Sequence, residues 1–285
     1  MPRIAYVNGR YLPHRDAAVH VEDRGYQFAD GVYEVCEVRG GRLIDQRRHM
    51  ERLQRSLAEL RIAMPMSLRA LDVVLHEVVR RNGVRNGIVY LQITRGVAKR
   101  DHAFPADDTR PAIVVTASRI DPAKTERLAA DGIAVVTVPD NRWDRVDIKS
   151  IALLPNVLAK QAAREQGARE AWFVAGDGTV TEGSSSNAWI VTAGNEVVTR
   201  AADRAILKGI TRTVLLDVLK AHDLTLVERP FTVAEAVGAR EAFITSASQI
   251  VMPVVRIDGQ PIGNGAPGLI ASALRADFHR YAEES

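Results

Sequence analysis

Ile120-Asp121-Pro122-Ala123-Lys124 divides the chain. A proline and the loss of any apolar periodicity mark a connection that few contacts cross. We therefore expect one domain over residues 1–120 and a second over 121–285. Both sides mix strand and helix patterns, which places the chain in the α+β class with two domains. Upstream of the divide, residues 112–117 and 88–94 read as strands, separated by a charged, irregular loop over 95–105 suited to reach out of its own domain. Val32 to Val38 has a period of two. Tyr33, Val35 and Glu37 share one face, and Glu34, Cys36 and Val38 the other. Residues 22–34 read as a structured loop entering that strand, and residues 4–12 as two strands turning at Asn8-Gly9. Asp45 opens a helix to about Arg61, with Met50, Leu53, Leu57 and Leu60 as its apolar stripe. Ser67 caps a second helix, which Gly83 ends. Downstream come a strand at 133–138, a helix from Pro155 to Gln166, a hairpin at Gly176-Asp177-Gly178 and strands at 188–192 and 242–246. A helix opens at Gly209, and the last runs from about Pro267 to Ala282.

Composition excludes several classes. Hydrophobic residues make up 46% and charged residues 26%, the balance of a folded soluble protein. The single cysteine, Cys36, rules out an internal disulfide, and a reducing, cytoplasmic setting is the simplest expectation. Met1-Pro2-Arg3-Ile4-Ala5-Tyr6 has no apolar core of a secretion signal. No apolar run reaches the length of a membrane span, so no membrane partner is expected. The net charge of +3 is dispersed, with no basic block and no aromatic interleaving, so nucleic acid is not expected either. There is no G-x-G-x-x-G and no Walker sequence. His76-Glu77 does not extend to H-E-x-x-H, and one cysteine cannot build a zinc site, so no metal is expected. In the serine run Gly183 to Ser186, Asn187 stands where a nucleophile elbow would close with glycine.

What remains is a set of residues suited to an anionic, electron-withdrawing cofactor. Lys149 lies in Asp147-Ile148-Lys149-Ser150, flanked by Val146, Ile151, Leu153 and Leu154. Desolvation among apolar neighbours disfavours the ammonium and leaves a nucleophilic amine, the chemistry of a Schiff-base lysine. Alone, Lys149 also reads as a strand-end lysine that snorkels to water. Gly209-Ile210-Thr211 offers backbone N–H groups at a helix start, where a phosphate is favoured, although a threonine there is also an ordinary cap. Glu182 sits in a Gly/Ser segment with few competing charges and could hold a heteroaromatic nitrogen protonated. It reads equally as a loop carboxylate bonded to backbone. Arg52 lies off the apolar stripe of its helix, where spacing alone makes it a solvated arginine.

Five stretches carry a resemblance: Glu22 to Glu34 (EDRGYQFADGVYE), Arg100-Asp101-His102, Asp147 to Ser150, Thr181 to Asn187 (TEGSSSN) and Ile206 to Arg212 (ILKGITR). Together, in this order and over nearly the whole chain, they resemble the D-amino acid aminotransferases. These belong to the class IV, or fold-type IV, pyridoxal-phosphate enzymes, which also include branched-chain L-amino acid aminotransferases and aminodeoxychorismate lyases. The Arg100-x-His102 pair points to the D-amino acid branch, and those two other activities are the alternatives.

The resemblance implies a two-domain homodimer holding pyridoxal 5′-phosphate. It implies that Lys149 forms the Schiff base and moves the proton between substrate Cα and cofactor C4′. Glu182 would partner the ring nitrogen, and Leu207 would pack on the ring face. Arg52, with backbone groups of Ile210 and Thr211, would hold the phosphate. Ser246-Ala247 would be a second phosphate contact, where the family often has Ser-Thr and this chain has lost the hydroxyl. Ser186 falls among the cofactor-binding positions. Tyr33, Arg100 and His102, with Val35 on the Tyr33 strand face, would bind substrate. Arg100 and His102 would come from the partner subunit. Glu37 stands where some relatives carry a basic residue, and a carboxylate there would repel acidic side chains. The implied reaction is a ping-pong exchange of an amino group between a D-amino acid such as D-alanine and a 2-oxo acid such as 2-oxoglutarate.

Overall fold

A computed structural model of the chain describes residues 3–285, so the Met1-Pro2 start of the N-terminal stretch lies outside them. The chain forms two compact units. The first takes the chain up to Asp121, together with Ile148–Ala152 and Glu283–Ser285. The second takes Pro122–Asp147 and Leu153–Ala282. The lysine segment thus departs from the expected division, which gave Lys149 to residues 121–285. Backbone pairing is the reason. Tyr33 N donates to Lys149 O at 3.0 Å and Ile151 N to Gly31 O at 3.1 Å, and Val32 forms an antiparallel bridge with Ser150.

The first unit contains β1 (Ile4–Val7), β2 (Arg10–Pro13), α1 (Arg24–Phe28), β3 (Gly31–Arg39), β4 (Arg42–Leu43), α2 (Gln46–Glu59), α3 (Leu68–Asn82), β5 (Gly87–Thr94) and β6 (Ala112–Arg119). Its sheet runs β2-β1-β6-β5-β3-β4, with every neighbouring pair antiparallel. Val32, Cys36 and Val38 of β3 and Val89, Leu91 and Ile93 of β5 point to one face. There they pack with Leu53 and Leu57 of α2, Leu71, Leu75 and Val78 of α3, and Ile148. Tyr33, Val35 and Glu37 occupy the opposite, half-buried face. Residues 22–34 contain a short helix rather than only a loop. Asp23 caps it, its carboxylate accepting from Gly25 N at 2.8 Å and Thr94 Oγ1 at 2.9 Å. A Cβ on Gly25 would lie 2.2 Å from Thr94 Cγ2, so glycine is required there. Asp45 precedes α2 but makes no side-chain cap. Its carboxylate takes Arg48 Nη1 instead, at 2.6 Å.

The second unit contains α4 (Pro122–Asp131), β7 (Ile133–Pro139), α5 (Leu154–Glu165), β8 (Glu170–Val174), β9 (Val180–Gly183), β10 (Asn187–Val191), β11 (Val197–Thr199), α6 (Ile210–Ala221), β12 (Leu226–Glu228), α7 (Val233–Val237), β13 (Glu241–Ser246), β14 (Ile250–Ile257), β15 (Gln260–Pro261) and α8 (Leu269–Tyr281). Its mixed sheet runs β12-β11-β10-β13-β14-β7-β8-β9, with β15 on β14. Both faces are covered, so β10 and most of β13 read as unbroken apolar runs. On one face Ile190, Ile244 and Met252 pack with Trp172 and Phe231. On the other, Trp189, Phe243 and Val251 pack with Val214 and Leu215 of α6 and Leu274 and Phe278 of α8. Pro122, which marked the divide in the sequence, is also the first residue of α4. Its missing N–H costs nothing at that position.

Candidate active site

Lys149 is half-buried in the first unit. Its backbone is clamped on both sides, since its N–H donates to Ser56 Oγ at 3.3 Å and its carbonyl accepts from Tyr33. Its Nζ lies 4.2 Å from the centroid of the Tyr33 ring. Of the flanking apolar residues only Ile148 enters the core, and Leu154 is 68% exposed. Tyr33 also stacks on Tyr90, with centroids 5.7 Å apart. Burial, with Tyr33 beside it, pushes the Tyr90 phenol up to about 12.

Arg52 is not solvated. Its side chain is 9% exposed, and Nε and Nη2 donate to the two oxygens of Glu34 at 2.8 and 2.7 Å. His49 Nδ1 lies 2.8 Å from Glu34 Oε2. His49, Arg52 and Ser56 recur at helical spacing beside the apolar stripe of α2, which widens its buried face to include polar groups. Burial alone would raise the Glu34 pKa, but Arg52 and His49 outweigh it and hold the carboxyl far below its usual range. Burial lowers His49, with Glu34 only partly opposing it, so the ring is neutral near pH 7.

The 95–105 loop is anchored to its own unit. Arg95 Nε and Nη2 bond both Asp30 oxygens at 2.7 and 3.0 Å. The guanidinium also lies 3.8 Å from the Phe104 ring centroid. Arg24 Nη1 donates to Asp101 O at 2.6 Å. Arg100 and His102 are exposed on this loop and pack on Phe28, at 5.0 and 5.4 Å from its centroid. Within the chain, then, Arg100 and His102 gather on Phe28, whereas Tyr33 faces Tyr90 and Lys149. Val35 stays on the Tyr33 face of β3.

In the second unit Glu182 is the third residue of β9, with its side chain 7% exposed. Oε1 accepts from Arg142 Nη1 at 2.5 Å. Oε2 accepts from Asn187 Nδ2 and from Leu207 N, both at 3.1 Å. Asn187 also donates to Leu207 O at 2.9 Å. A Cβ on Gly209 would sit 2.1 Å from Asn187 Oδ1, so only glycine lets the backbone before α6 come this close. Gly209 is the N-cap of α6 and has no side chain to cap it, which leaves the Ile210 and Thr211 N–H groups at an open helix start. Asn187 pairs with Thr245 across β10 and β13, which brings Ser246 and Ala247 to the same end of the sheet. The Ser186 hydroxyl points elsewhere. Ser186 Oγ donates to buried Glu170 at 3.2 Å, as does Ser185 Oγ at 2.9 Å. Ser184 bonds the same carboxylate, and Lys160 Nζ lies 3.3 Å from it.

Arg142, Asn187, Glu34 and Glu170 were not singled out as site residues in the sequence. Asn187 lay within the quoted TEGSSSN stretch, and Glu34 shared the core face with Cys36 and Val38. Asp140 lies two residues from Arg142, but the arginine's second carboxylate partner, Glu182, is 40 residues away, and that link left no local signal.

A family model described as amino-transferase class IV matches residues 31–257. The chain is 38% identical to a D-alanine aminotransferase of Staphylococcus haemolyticus, over 98% of this chain and 97% of the relative. It is 43% identical to a D-alanine aminotransferase of Bacillus licheniformis, over 92% of this chain and 90% of the relative. Among solved structures, a branched-chain amino acid aminotransferase of Escherichia coli aligns with a TM-score of 0.88 at 20% identity, over 98% of this chain and 94% of that one. A branched-chain aminotransferase of the archaeon Thermoproteus uzoniensis, solved with norvaline, aligns with a TM-score of 0.85 at 23% identity, over 100% of this chain and 99% of that one. These two structures speak for the fold alone. By family model and by full-length identity, the chain belongs to the class IV aminotransferases.

Proposed function

We propose that the chain is a pyridoxal-phosphate-dependent transaminase that moves an amino group between a D-amino acid, D-alanine above all, and a 2-oxo acid such as 2-oxoglutarate. The observation that carries this reading is the 38–43% identity to D-alanine aminotransferases over nearly the full length. The donor set suits the cofactor. In the first unit a buried guanidinium at Arg52 is of a kind that suits a phosphate dianion, and in the second, taken by itself, so is the uncapped helix start at Ile210 and Thr211. A carboxylate fixed by three donors at Glu182 matches a protonatable ring nitrogen. Among the described residues no His, Cys, Asp or Glu group could hold a metal ion, and no helix is long and apolar enough to cross a membrane.

Pyridoxal phosphate, when bound, supplies an electron-poor ring that spreads the negative charge left on Cα. In the proposed roles Lys149 Nζ accepts the Cα proton and returns a proton on the other side of the exchange. Glu182 stays ionised and favours a protonated ring nitrogen. Arg52, Ile210, Thr211, Ser246 and Ala247 hold the phosphate, and Leu207 supplies an apolar ring contact. Tyr33 and Val35 orient the substrate. Arg100 and His102 bind its α-carboxylate from the partner subunit of a cytoplasmic homodimer. Their exposure on the loop leaves them available for that role.

A panel of D- and L-amino acids with 2-oxoglutarate tests the activity. D-alanine should be converted to pyruvate, and turnover of L-branched-chain substrates alone would overturn the reading. Borohydride reduction should fix the cofactor on Lys149, and an adduct on Lys160 or Lys208 would refute that assignment. Mixed dimers of Arg100→Ala and Lys149→Ala chains should regain activity, and inactive mixtures would exclude the shared site.

A further inference from the structure

Arg142 belongs to none of the roles assigned so far, yet it is the most heavily bonded side chain around Glu182. Its side chain is 5% exposed. Nε and Nη2 donate to Asp140 Oδ1 and Oδ2 at 2.9 and 2.8 Å. Nη1 donates to Glu182 at 2.5 Å. Nη2 also reaches Thr181 Oγ1 at 3.2 Å and Ala205 O at 3.3 Å. The guanidinium plane lies over Phe173, 4.3 Å from the ring centroid. A planar fork spends its two edges on two different carboxylates, which a point charge such as lysine could not reproduce.

We propose that Arg142 is a positioning residue that keeps Glu182 ionised and aimed at the cofactor's ring nitrogen. The inference rests on the reading of Glu182 as that nitrogen's partner. The charges argue for it. Asp140, Arg142 and Glu182 together carry one surplus negative charge, which a ring N–H⁺ would neutralise. Without Arg142, two little-exposed carboxylates would share the space with no cation between them. Like charges so placed do not both stay ionised, and one takes up a proton. If Glu182 takes it, the carboxylate can no longer hold a proton on the ring by ion pairing. Burial favours neutral Asp140, but Arg142 and Thr181 outweigh it and hold Asp140 below its usual range. Arg142 itself resists burial through Asp140 and Glu182. Arg142 touches neither substrate nor reacting atoms in this scheme, and it acts only through Glu182.

The test uses holoenzyme reconstituted with ring-¹⁵N-labelled pyridoxal phosphate. The wild-type ¹⁵N signal should lie in the protonated range, and Glu182→Gln should move it to the unprotonated range. Arg142→Met should move it the same way, and slow the D-alanine half-reaction by roughly 10²-fold, the scale of losing one preorganised electrostatic contact. Arg142→Lys should keep the protonated signal, since it retains the charge while losing the fork. A signal that moves in Glu182→Gln but not in Arg142→Met would refute the role of Arg142 and leave that of Glu182 standing. A signal unmoved in Glu182→Gln would refute both. If Arg142→Met does not fold, Arg142→Gln, polar but uncharged, decides, and a protonated signal in it would overturn the proposal.

Discussion

In the first unit one carboxylate, Glu34, takes a forked pair of bonds from Arg52 and a third contact from His49. In the second, one guanidinium, Arg142, is divided between Asp140 and Glu182. With His49 neutral, the first group has no net charge among its three members, whereas the second keeps one negative charge. The first arrangement fixes the direction of an arginine, and the carboxylate is the means. The second, as proposed above, fixes the charge of a carboxylate, with the arginine as the means. In the proposed roles, buried ion pairs that look alike in a contact map serve opposite signs of ligand.

The largest expected effect breaks the first arrangement. Glu34→Ala leaves Arg52 buried without its main partner, and should cost about 3–5 kcal/mol of stability. Urea denaturation would measure it, and a loss below about 1 kcal/mol would show that Glu34 does not hold Arg52 in the way inferred. Glu182→Gln should behave in the opposite sense. Stability should change little, because Arg142 keeps Asp140, but single-turnover proton removal should slow by about 10²- to 10³-fold. A wild-type rate in that variant would remove Glu182 from the chemistry.

The smallest effect is one of pH. The folded protein holds His49 below its unfolded value, so the unfolded chain binds that proton more tightly. The stability from His49 is complete above about pH 6.5 and falls as pH drops below it, by at most ~1.4 kcal/mol per pH unit. Glu34 is also depressed, and its contribution is lost at lower pH, starting below about 4.3. Denaturation midpoints between about pH 7.5 and 5.5, which bracket the ordinary histidine range, should fall in the wild type and flatten in His49→Gln. Parallel curves would exclude His49 as the source.

Much of this was legible in the sequence where a pattern was local. Ser67 and Gly83 bound α3 because a cap and a left-handed glycine are decided within one turn. The alternation in β3 sorted Glu34 from Tyr33 correctly because strand faces follow from period two alone. The stretches that carried the resemblance contain Lys149 and Glu182 but not Arg52; helical spacing by itself had sent Arg52 to solvent, and its side chain is 9% exposed. Local rules failed where tertiary contacts set the outcome. Pro122 marks the division of the chain as expected, but the helix that it starts was not foreseen. β14 was not foreseen, and its Pro253 has no N–H for an inner strand. It is tolerated there because pairing with β7 begins only at Val254, one residue further on. Arg142 was invisible because nothing near it in the chain announces a carboxylate 40 residues later.

The composition of the first unit bears on how the chain is made. Ser285 exchanges two backbone hydrogen bonds with Leu43, Ile44 bridges Glu284, and Ile148–Ala152 line β3. A ribosome delivering about 5–20 residues per second needs roughly 15–60 s to reach residue 285. For most of that time β4, already paired with β3, lacks its second contact at residues 284–285, although it was among the first strands to emerge. The first unit is therefore completed only by segments that follow much of the second. A nascent chain stalled at residue 121 would expose the β3 edge that Ser150 later covers. Chaperone dependence during synthesis should accordingly centre on this early sheet rather than on the later one.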